Sequence, residues 1–481
     1  MATDPADLVV GFDLDMTLLD SRAGIRATYE RLAEETGSRI DPDVAAARLG
    51  PPVEEELSRW LPAEQVAAAA DRFRALYPEY AIEPATPMTG AVDSLQAVRA
   101  HRGRTLVVTG KHEPNAALHL RALGLDVDEV VGGLWGTAKG AALREHGAVV
   151  YVGDHVLDVQ GARAAGAVSV AVPTGPCSVD ELADAGADVV LPDLAAFPAW
   201  LDQHLLDTRL AALDDRLREL GRVLVAFSGG ADSAFLLAAA VRTLGADNVV
   251  AATAVSGSLP ATELEAAREV AAGHGVRHLA PETHEMERDG YRANNGDRCY
   301  FCKAELMDVL GPAAAEVGAV VVTGTNADDA VAGFRPGIRA ASERGAATPL
   351  RDAALSKRQV REASRRWGLS TWDKPAAACL SSRIAYGVEV TPHRLARVER
   401  AESGLRDWLR RSGAAARDLR VRDVGDLGRV EVDLALVPLV HGSAEARDVV
   451  LAAGFSDVEV DERGFRSGSM NEMLREPERF R

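Results

Sequence analysis

Four groups of residues have types and spacings that could do chemistry. The first is Ser228-Gly229-Gly230-Ala231-Asp232-Ser233, which follows the apolar run Val223 to Phe227. The two glycines let backbone N–H groups approach an anion closely, and Ser228 and Ser233 add hydroxyl donors. A helix opening at this point would add the partial positive charge of its N-terminus, so pyrophosphate is the natural occupant. Asp232 fits beside a phosphate if Mg²⁺ lies between its carboxylate and the phosphate oxygens. The second group is Asp13-Leu14-Asp15-Met16-Thr17 after Val9 to Phe12. Carboxylates two residues apart beyond a strand end can share a metal and a phosphoryl group, one attacking phosphorus and the other moving the leaving-group proton. Thr109, Lys139 and the acid pair Asp154 and Asp158 follow at later strand ends and supply a hydroxyl, an ammonium and further Mg²⁺ ligands.

The third group is Cys299-x-x-Cys302 with Cys379 far downstream. A lone buried cysteine is an inert small hydrophobe, which suffices for Cys177. Lys303, Arg298 and Arg383 are near enough in sequence to the other three to lower thiol pKa values. Three thiolates are a workable set for an iron–sulfur cluster or for zinc. The fourth group is Arg420 and Arg422, two residues apart on one face of an expected strand, with Ser382 and Arg383 close by. They are expected to hold a substrate phosphate, with Glu431 lining the same place; the alternative is a solvated basic strand edge.

The elements that must position these groups alternate. Buried strands are expected at 106–108, 149–152, 223–227, 249–255 and 320–323, with helices at 234–244 and 262–274. The fold class is therefore α/β, with strand-end sites at the carboxyl edges of parallel sheets. Thr325, Asn326, Asp328 and Asp329, after the strand at 320–323, could line a nucleotide pocket, although such residues are also common in ordinary turns. Apolar residues at helical spacing from Leu201 to Leu220 place a helix at the join between two halves.

At 481 residues the chain is expected to hold two or three domains. No apolar run reaches membrane-spanning length, and the first residues are acidic where a signal peptide would be basic, so a cytoplasmic protein is expected. Four cysteines exclude a disulfide framework. A net charge of −18 disfavours nucleic acid and acidic membranes as partners. A small-molecule nucleotide substrate and a homo-oligomer are expected instead.

The sequence Ser228 to Ser233 resembles the SGGxDS loop of ATP pyrophosphatases, which attach AMP to a substrate and release pyrophosphate. Residues 7–198 resemble the haloacid dehalogenase-like phosphatases, closest to the phosphoglycolate phosphatase group. That resemblance implies Asp13 as nucleophile, Asp15 as acid/base, Thr109 and Lys139 as phosphate ligands, and Mg²⁺ among Asp13, Asp15, Asp154 and Asp158. A cap over about 21–87 would select the substrate. SGGADS, GDRCYFCK, TPLRDAALSKRQVR, KPAAACLSSRI, LRVRDVG and GFRSGSMNE occur in this order and together resemble the LarE-type sulfur transferases of nickel-pincer nucleotide synthesis, which serve lactate racemase.

The two resemblances imply a phosphatase domain over 1–198, a doubly wound ATP-pyrophosphatase domain over 199–385 and a small α+β substrate domain over 386–481. The LarE resemblance implies ATP and Mg²⁺, the latter at Asp232. It also implies adenylylation of a carboxylate of pyridinium-3,5-biscarboxylic acid mononucleotide, and displacement of AMP by sulfur. In sacrificial members the cysteine at the position of Cys379 gives up its sulfur. Cys299 and Cys302, absent from those members, would with Cys379 hold an iron–sulfur cluster; zinc or bare thiols remain alternatives. Two rival readings stand beside this one. A tRNA-thiolating enzyme would need an extensive basic surface, which this acidic chain lacks. A non-catalytic nucleotide-binding module would show no ATP–pyrophosphate exchange with any carboxylate.

Overall fold

Short runs of β-branched residues form strands that are buried on both faces, and these strands organise two separate units. The computed structural model describes residues 8–48, 52–331, 336–375 and 379–466. The chain divides between Leu205 and Leu206. In the first unit six parallel strands lie in the order Glu129–Val131, Arg104–Val108, Val9–Phe12, Val150–Gly153, Val168–Ala171, Val189–Val190. Successive side chains point to opposite faces, so Val10 and Phe12 join Leu95, Leu120 and Phe197 in one core, while Val9 joins Leu106, Leu143 and Tyr151 in the other. Gly11 is required between them, because a Cβ there would lie 2.8 Å from both Leu143 and Tyr151.

Between the first two strands in sequence the chain leaves the sheet. The helices Arg22–Thr36 and Ala63–Tyr80 close on their own core of Tyr29, Leu32, Phe73, Leu76 and Tyr77. The short antiparallel pair Leu19–Asp20 and Thr86–Pro87 ties the exit to the return. This insertion spans the residues, about 21–87, that were expected to form a cap, and is called the cap below.

The second unit holds four parallel strands in the order Arg277–Leu279, Val249–Ala252, Val223–Ala226, Val320–Val322. In sequence terms this is third, second, first, fourth, which is the doubly wound arrangement expected. Two boundaries differ from expectation by three residues. The helix after Ser228-Gly229-Gly230 starts at Ala231, three residues earlier than its apolar pattern, because Gly230 serves as its N-cap. The strand expected to reach Val255 stops at Ala252, where the Thr253 hydroxyl donates to Phe227 O at 2.8 Å, and Val255 rejoins the sheet only as an isolated bridge to Glu282.

A smaller sheet follows, with Leu419–Val424 antiparallel to Leu427–Val432 and the latter parallel to Asp457–Val460. It shares a unit with the four-stranded sheet. Tyr291, Leu380 and Ile384 enter the same core as Val421 and Val430, and Asn294 Nδ2 donates to the carbonyls of Ile384, Ala385 and Val388. The helix Phe197–Leu220 gives Phe197, Leu201 and Leu205 to the first unit's core, and Leu206, Leu213 and Leu217 to the second's. Among the described residues no helix is long and apolar enough to cross a membrane. Residues 376–378 of KPAAACLSSRI and 467–472 of GFRSGSMNE lie outside the described residues.

Candidate active sites

In the first unit the carboxyl ends of three adjacent strands deliver Asp13, Thr109 and Asp154 to one place, and Asp158 follows on the next helix. Ligand oxygens of Asp13, Asp154 and Asp158 all lie within 4.8 Å of one another, and all three residues are buried. Lys139 Nζ donates to Asp13 Oδ1 and Asp158 Oδ1, each at 2.7 Å. One ammonium cannot neutralise three carboxylates. Burial, with Asp158 beside it, pushes Asp13 up to about 7 against the pull of Lys139, and burial with Asp13 holds Asp154 well above the carboxylate range. A divalent, oxygen-seeking cation supplies the missing charge, so the donor set fits Mg²⁺. Thr17 Oγ1 donates to Asp154 Oδ1 at 2.9 Å.

Asp15, expected among the Mg²⁺ residues, does not join this group. Its Oδ1 lies 3.0 Å from Lys111 Nζ and accepts from Ser21, on the side facing the cap. Lys111 itself was not anticipated, and its only sequence trace is its place two residues after Thr109. Its partner Tyr77 comes from the cap helix, and the Tyr77 hydroxyl lies 3.0 Å from His119 Nε2. A cavity of about 370 Å³ opens above these residues, with Tyr29, Glu56 and Phe73 from the cap in its wall.

In the second unit the loop Ser228 to Ser233 leaves the strand Val223–Ala226, whose neighbour Val320–Val322 ends in Thr323 to Asp329; the strand order reverses between them. Gly229 has φ +70°, a conformation that suits glycine. Ser228 Oγ lies 3.1 Å from Ser233 Oγ, and Ser233 Oγ donates to Gly230 O at 3.1 Å. Asp232 sits in the first helical turn, where Asn326 Nδ2 donates to its Oδ1 at 3.3 Å; burial raises its pKa against the pull of Lys357. Ser228, Gly230, Asp232, Ser233, Thr325 and Asp329 line a cavity of about 320 Å³.

Of the four residues expected after the later strand, Asp328 has a different task, because its carboxylate accepts from Lys357 N at 2.8 Å. Lys303 also lines the cavity, and Lys374 Nζ donates to Gly229 O at 3.1 Å and to Glu263 at 2.8 Å. Nothing in the sequence near the loop pointed to Lys374.

Cys299 and Cys302 lie one turn apart on the helix Arg298–Glu316, the first exposed and the second partly buried against the core of Tyr291, Leu380 and Val421. The expectation that nearby cations lower the thiols fails for Cys302. Burial pushes it up, Cys379 and Glu285 push it further, and Lys303 does not reverse this. The cysteines surround a buried polar knot in which Arg298 Nη1 donates to Asn294 Oδ1 at 2.5 Å and to Ser381 O at 2.7 Å, and the Tyr291 hydroxyl lies 2.5 Å from Ser381 Oγ. Arg298 feels the fields of both Cys379 and Cys299. The three sulfurs do not form a group within 4.8 Å of one another. A single zinc, with Zn–S of about 2.3 Å, would need them closer.

Arg383, Arg420 and Arg422 are all buried, which overturns the solvated-edge alternative. Arg383 pairs with Glu402, Nε to Oε1 at 2.9 Å, and donates to Cys379 O at 2.9 Å and Ser382 Oγ at 3.2 Å. Arg422 forks onto Glu431 Oε2 at 2.9 and 2.8 Å and reaches Ser382 O at 3.2 Å. Burial and the neighbouring Arg383 depress the pKa of Arg420. Ser382, Arg383, Arg420 and Arg422 therefore form one buried polar cluster with Glu402 and Glu431, and it starts at the backbone of Cys379.

Residues 10–163 match the haloacid dehalogenase-like hydrolase family. A haloacid dehalogenase-like hydrolase of Streptococcus pneumoniae overlaps 40% of this chain and 99% of its own, with 22% identity and a TM-score of 0.37. An uncharacterized protein of Synechocystis is 42% identical over 274 residues, 56% of this chain and 99% of its own length. The pyridinium-3,5-bisthiocarboxylic acid mononucleotide synthase of Lactiplantibacillus plantarum is 34% identical over 271 residues, 56% of this chain and 96% of its own. The chain belongs to the LarE family. As a LarE-type enzyme it is a sulfur transferase, and it carries this activity fused to a haloacid dehalogenase-like hydrolase domain.

Proposed function

We propose that the second unit adenylylates a carboxylate of pyridinium-3,5-biscarboxylic acid mononucleotide and converts it to a thiocarboxylate. The observation that carries this reading is the loop Ser228 to Ser233, set where the strand order reverses, with Asp232 beside it. Backbone N–H groups of Gly229 and Gly230 and the hydroxyls of Ser228 and Ser233 would hold the pyrophosphate of ATP, and Asp232 would hold its Mg²⁺. A substrate carboxylate oxygen attacks the α-phosphorus and pyrophosphate leaves. Sulfur then attacks the acyl carbon and AMP leaves. Arg420, Arg422, Ser382 and Arg383 would hold the phosphate of the mononucleotide, provided it displaces Arg422 in part from Glu431.

Cys299, Cys302 and Cys379 would ligate an iron–sulfur cluster, which when bound would supply a transferable sulfide. A second reading rests on the bonds from Arg383 and Ser382 to the carbonyl of Cys379, which tie that cysteine to the phosphate patch. In it the Cys379 sulfur forms the thioester. Its Cβ–S bond then breaks as the α-proton is lost, leaving dehydroalanine.

In the first unit Asp13 would attack phosphorus, Asp15 would give and take the leaving-group proton, and Thr109 and Lys139 would bind phosphate oxygens around Mg²⁺ held by Asp13, Asp154 and Asp158. The acidic chain acts on a small nucleotide rather than nucleic acid, in the cytoplasm, as a homo-oligomer. The test is incubation with ATP, Mg²⁺, sulfide and the biscarboxylate mononucleotide. Exchange of one carboxylate oxygen for sulfur by mass spectrometry is expected, and pyrophosphate release without sulfur incorporation refutes the assignment.

A further inference from the structure

The peptide between Gly229 and Gly230 has no side chain on either side to fix it, and Gly229, at φ +70°, is free to turn at little cost. Its carbonyl is nevertheless held. Gly229 O accepts from Lys374 Nζ at 3.1 Å, and the same ammonium donates to Glu263 Oε2 at 2.8 Å. Lys374 is itself anchored, because its carbonyl accepts from Arg361 Nη2 at 3.1 Å and its N–H donates to Thr371 O at 3.1 Å. Neither Lys374 nor Glu263 is among the residues lining the cavity at the loop, whereas Gly230 is. A trans peptide points its C=O and its N–H in opposite directions. Holding Gly229 O on the Lys374 side therefore turns the Gly230 N–H to the cavity side. Among the described residues that N–H makes one bond, a long one to Ser228 Oγ at 3.4 Å, so it is available to an anion. Lys374 and Glu263 sum to zero charge, and the pair adds little net attraction for phosphate. What it supplies is direction.

We infer that Lys374 is a positioning residue for the pyrophosphate of ATP: it fixes the Gly229–Gly230 peptide with its N–H towards the cavity before nucleotide binds, and touches no phosphate itself. A donor aimed in advance costs nothing to reorient when the anion arrives. The inference rests on the reading of Ser228 to Ser233 as the ATP loop.

Binding of ATP, pyrophosphate and AMP to the full chain with Mg²⁺ is measured by calorimetry. In Lys374→Met, ATP and pyrophosphate are expected to bind about tenfold more weakly, the size of one hydrogen bond to a charged group, while AMP, which lacks the pyrophosphate, keeps its wild-type affinity. Combining Lys374→Met with Glu263→Gln restores the net charge and should show the same loss, because orientation is what has been removed. Lys374→Arg, which still donates, should recover most of it. A second measurement uses the nucleotide-free protein. Hydrogen exchange of the segment 228–233, followed by mass spectrometry, should rise in Lys374→Met and by less in Glu263→Gln, where the ammonium loses its anchor, while the strand Leu419–Val424 exchanges as in wild type. An equal loss for AMP, no loss for ATP, or recovery in the charge-restored variant overturns the inference alone. So does unchanged exchange of the nucleotide-free loop, which would mean that Lys374 meets phosphate directly. Wild type that binds neither ATP nor pyrophosphate removes the ATP-loop reading and this inference with it.

Discussion

At the scale of single residues, Lys139 has the most exacting position in the first unit. Among the described residues its ammonium is the one cation bonded to both Asp13 and Asp158, and it is 2% exposed. Lys139→Met leaves the three carboxylates without it. We expect phosphomonoester hydrolysis to fall by about a hundredfold or more. Stability of the first unit should drop by about 3 kcal/mol, because breaking a buried pair strands the remaining charge. Added Mg²⁺ should return part of that stability, which thermal unfolding with and without the ion measures; a metal-independent loss would mean that the site does not gather a cation. The cysteines offer a second residue-scale test. If they hold a cluster, Cys299→Ser, Cys302→Ser and Cys379→Ser each lose visible colour and activity together, and sulfide sustains many turnovers. Intact-protein mass spectrometry showing dehydroalanine at position 379 after one turnover, in iron-loaded protein, would decide for the sacrificial cysteine instead.

Between elements, the cap helix Ala63–Tyr80 is joined to the helix Glu113–Ala122 by the bond between Tyr77 and His119. His119 is fully buried, its Nδ1 has no hydrogen bond among the described residues, and burial with Lys111 nearby lowers its pKa to about 4. The folded state therefore keeps His119 neutral where the unfolded chain, at about 6.5, takes up a proton. Stability from this group is complete above about pH 6.5 and declines as pH falls towards 4, because the unfolded state binds more protons in that window. The loss should be on the order of 3 kcal/mol. His119→Gln, which cannot titrate, should flatten that part of the pH profile of chemical denaturation; an unchanged slope would place the sensitivity elsewhere.

For the whole molecule, the two chemistries stand on separate sheets with separate cores. Asp13→Asn should abolish phosphomonoester hydrolysis, since an amide does not form the aspartyl-phosphate, and leave ATP-dependent pyrophosphate release at its original rate. Asp232→Ala should do the reverse. Loss of both activities in either variant would show coupling that the separate cores do not provide. The net charge of −18 predicts no salt-sensitive band shift with tRNA, and a shift would favour the tRNA-thiolating alternative.

The groups legible in the sequence were those whose members are close along the chain or sit at strand ends. SGGADS, DLDMT and GDHVLD are short enough that a strand followed by a turn fixes their geometry, and parallel pairing then brings Asp13, Thr109 and Asp154 to one edge. Apolar runs likewise announced the doubly wound sheet, because strands buried on both faces leave little room for polar residues. What the tertiary structure decided was pairing across distance. Tyr77, Lys111 and His119 meet because a cap helix folds back over the sheet, and Lys374 reaches Gly229 across 145 residues. Arg422 is tied to Glu431 and Arg383 to Glu402 by burial that a two-residue spacing does not reveal. Cys302 has the opposite acid strength from the one its neighbours in sequence imply, since desolvation acts through the fold while Lys303 and Arg298 act through proximity alone.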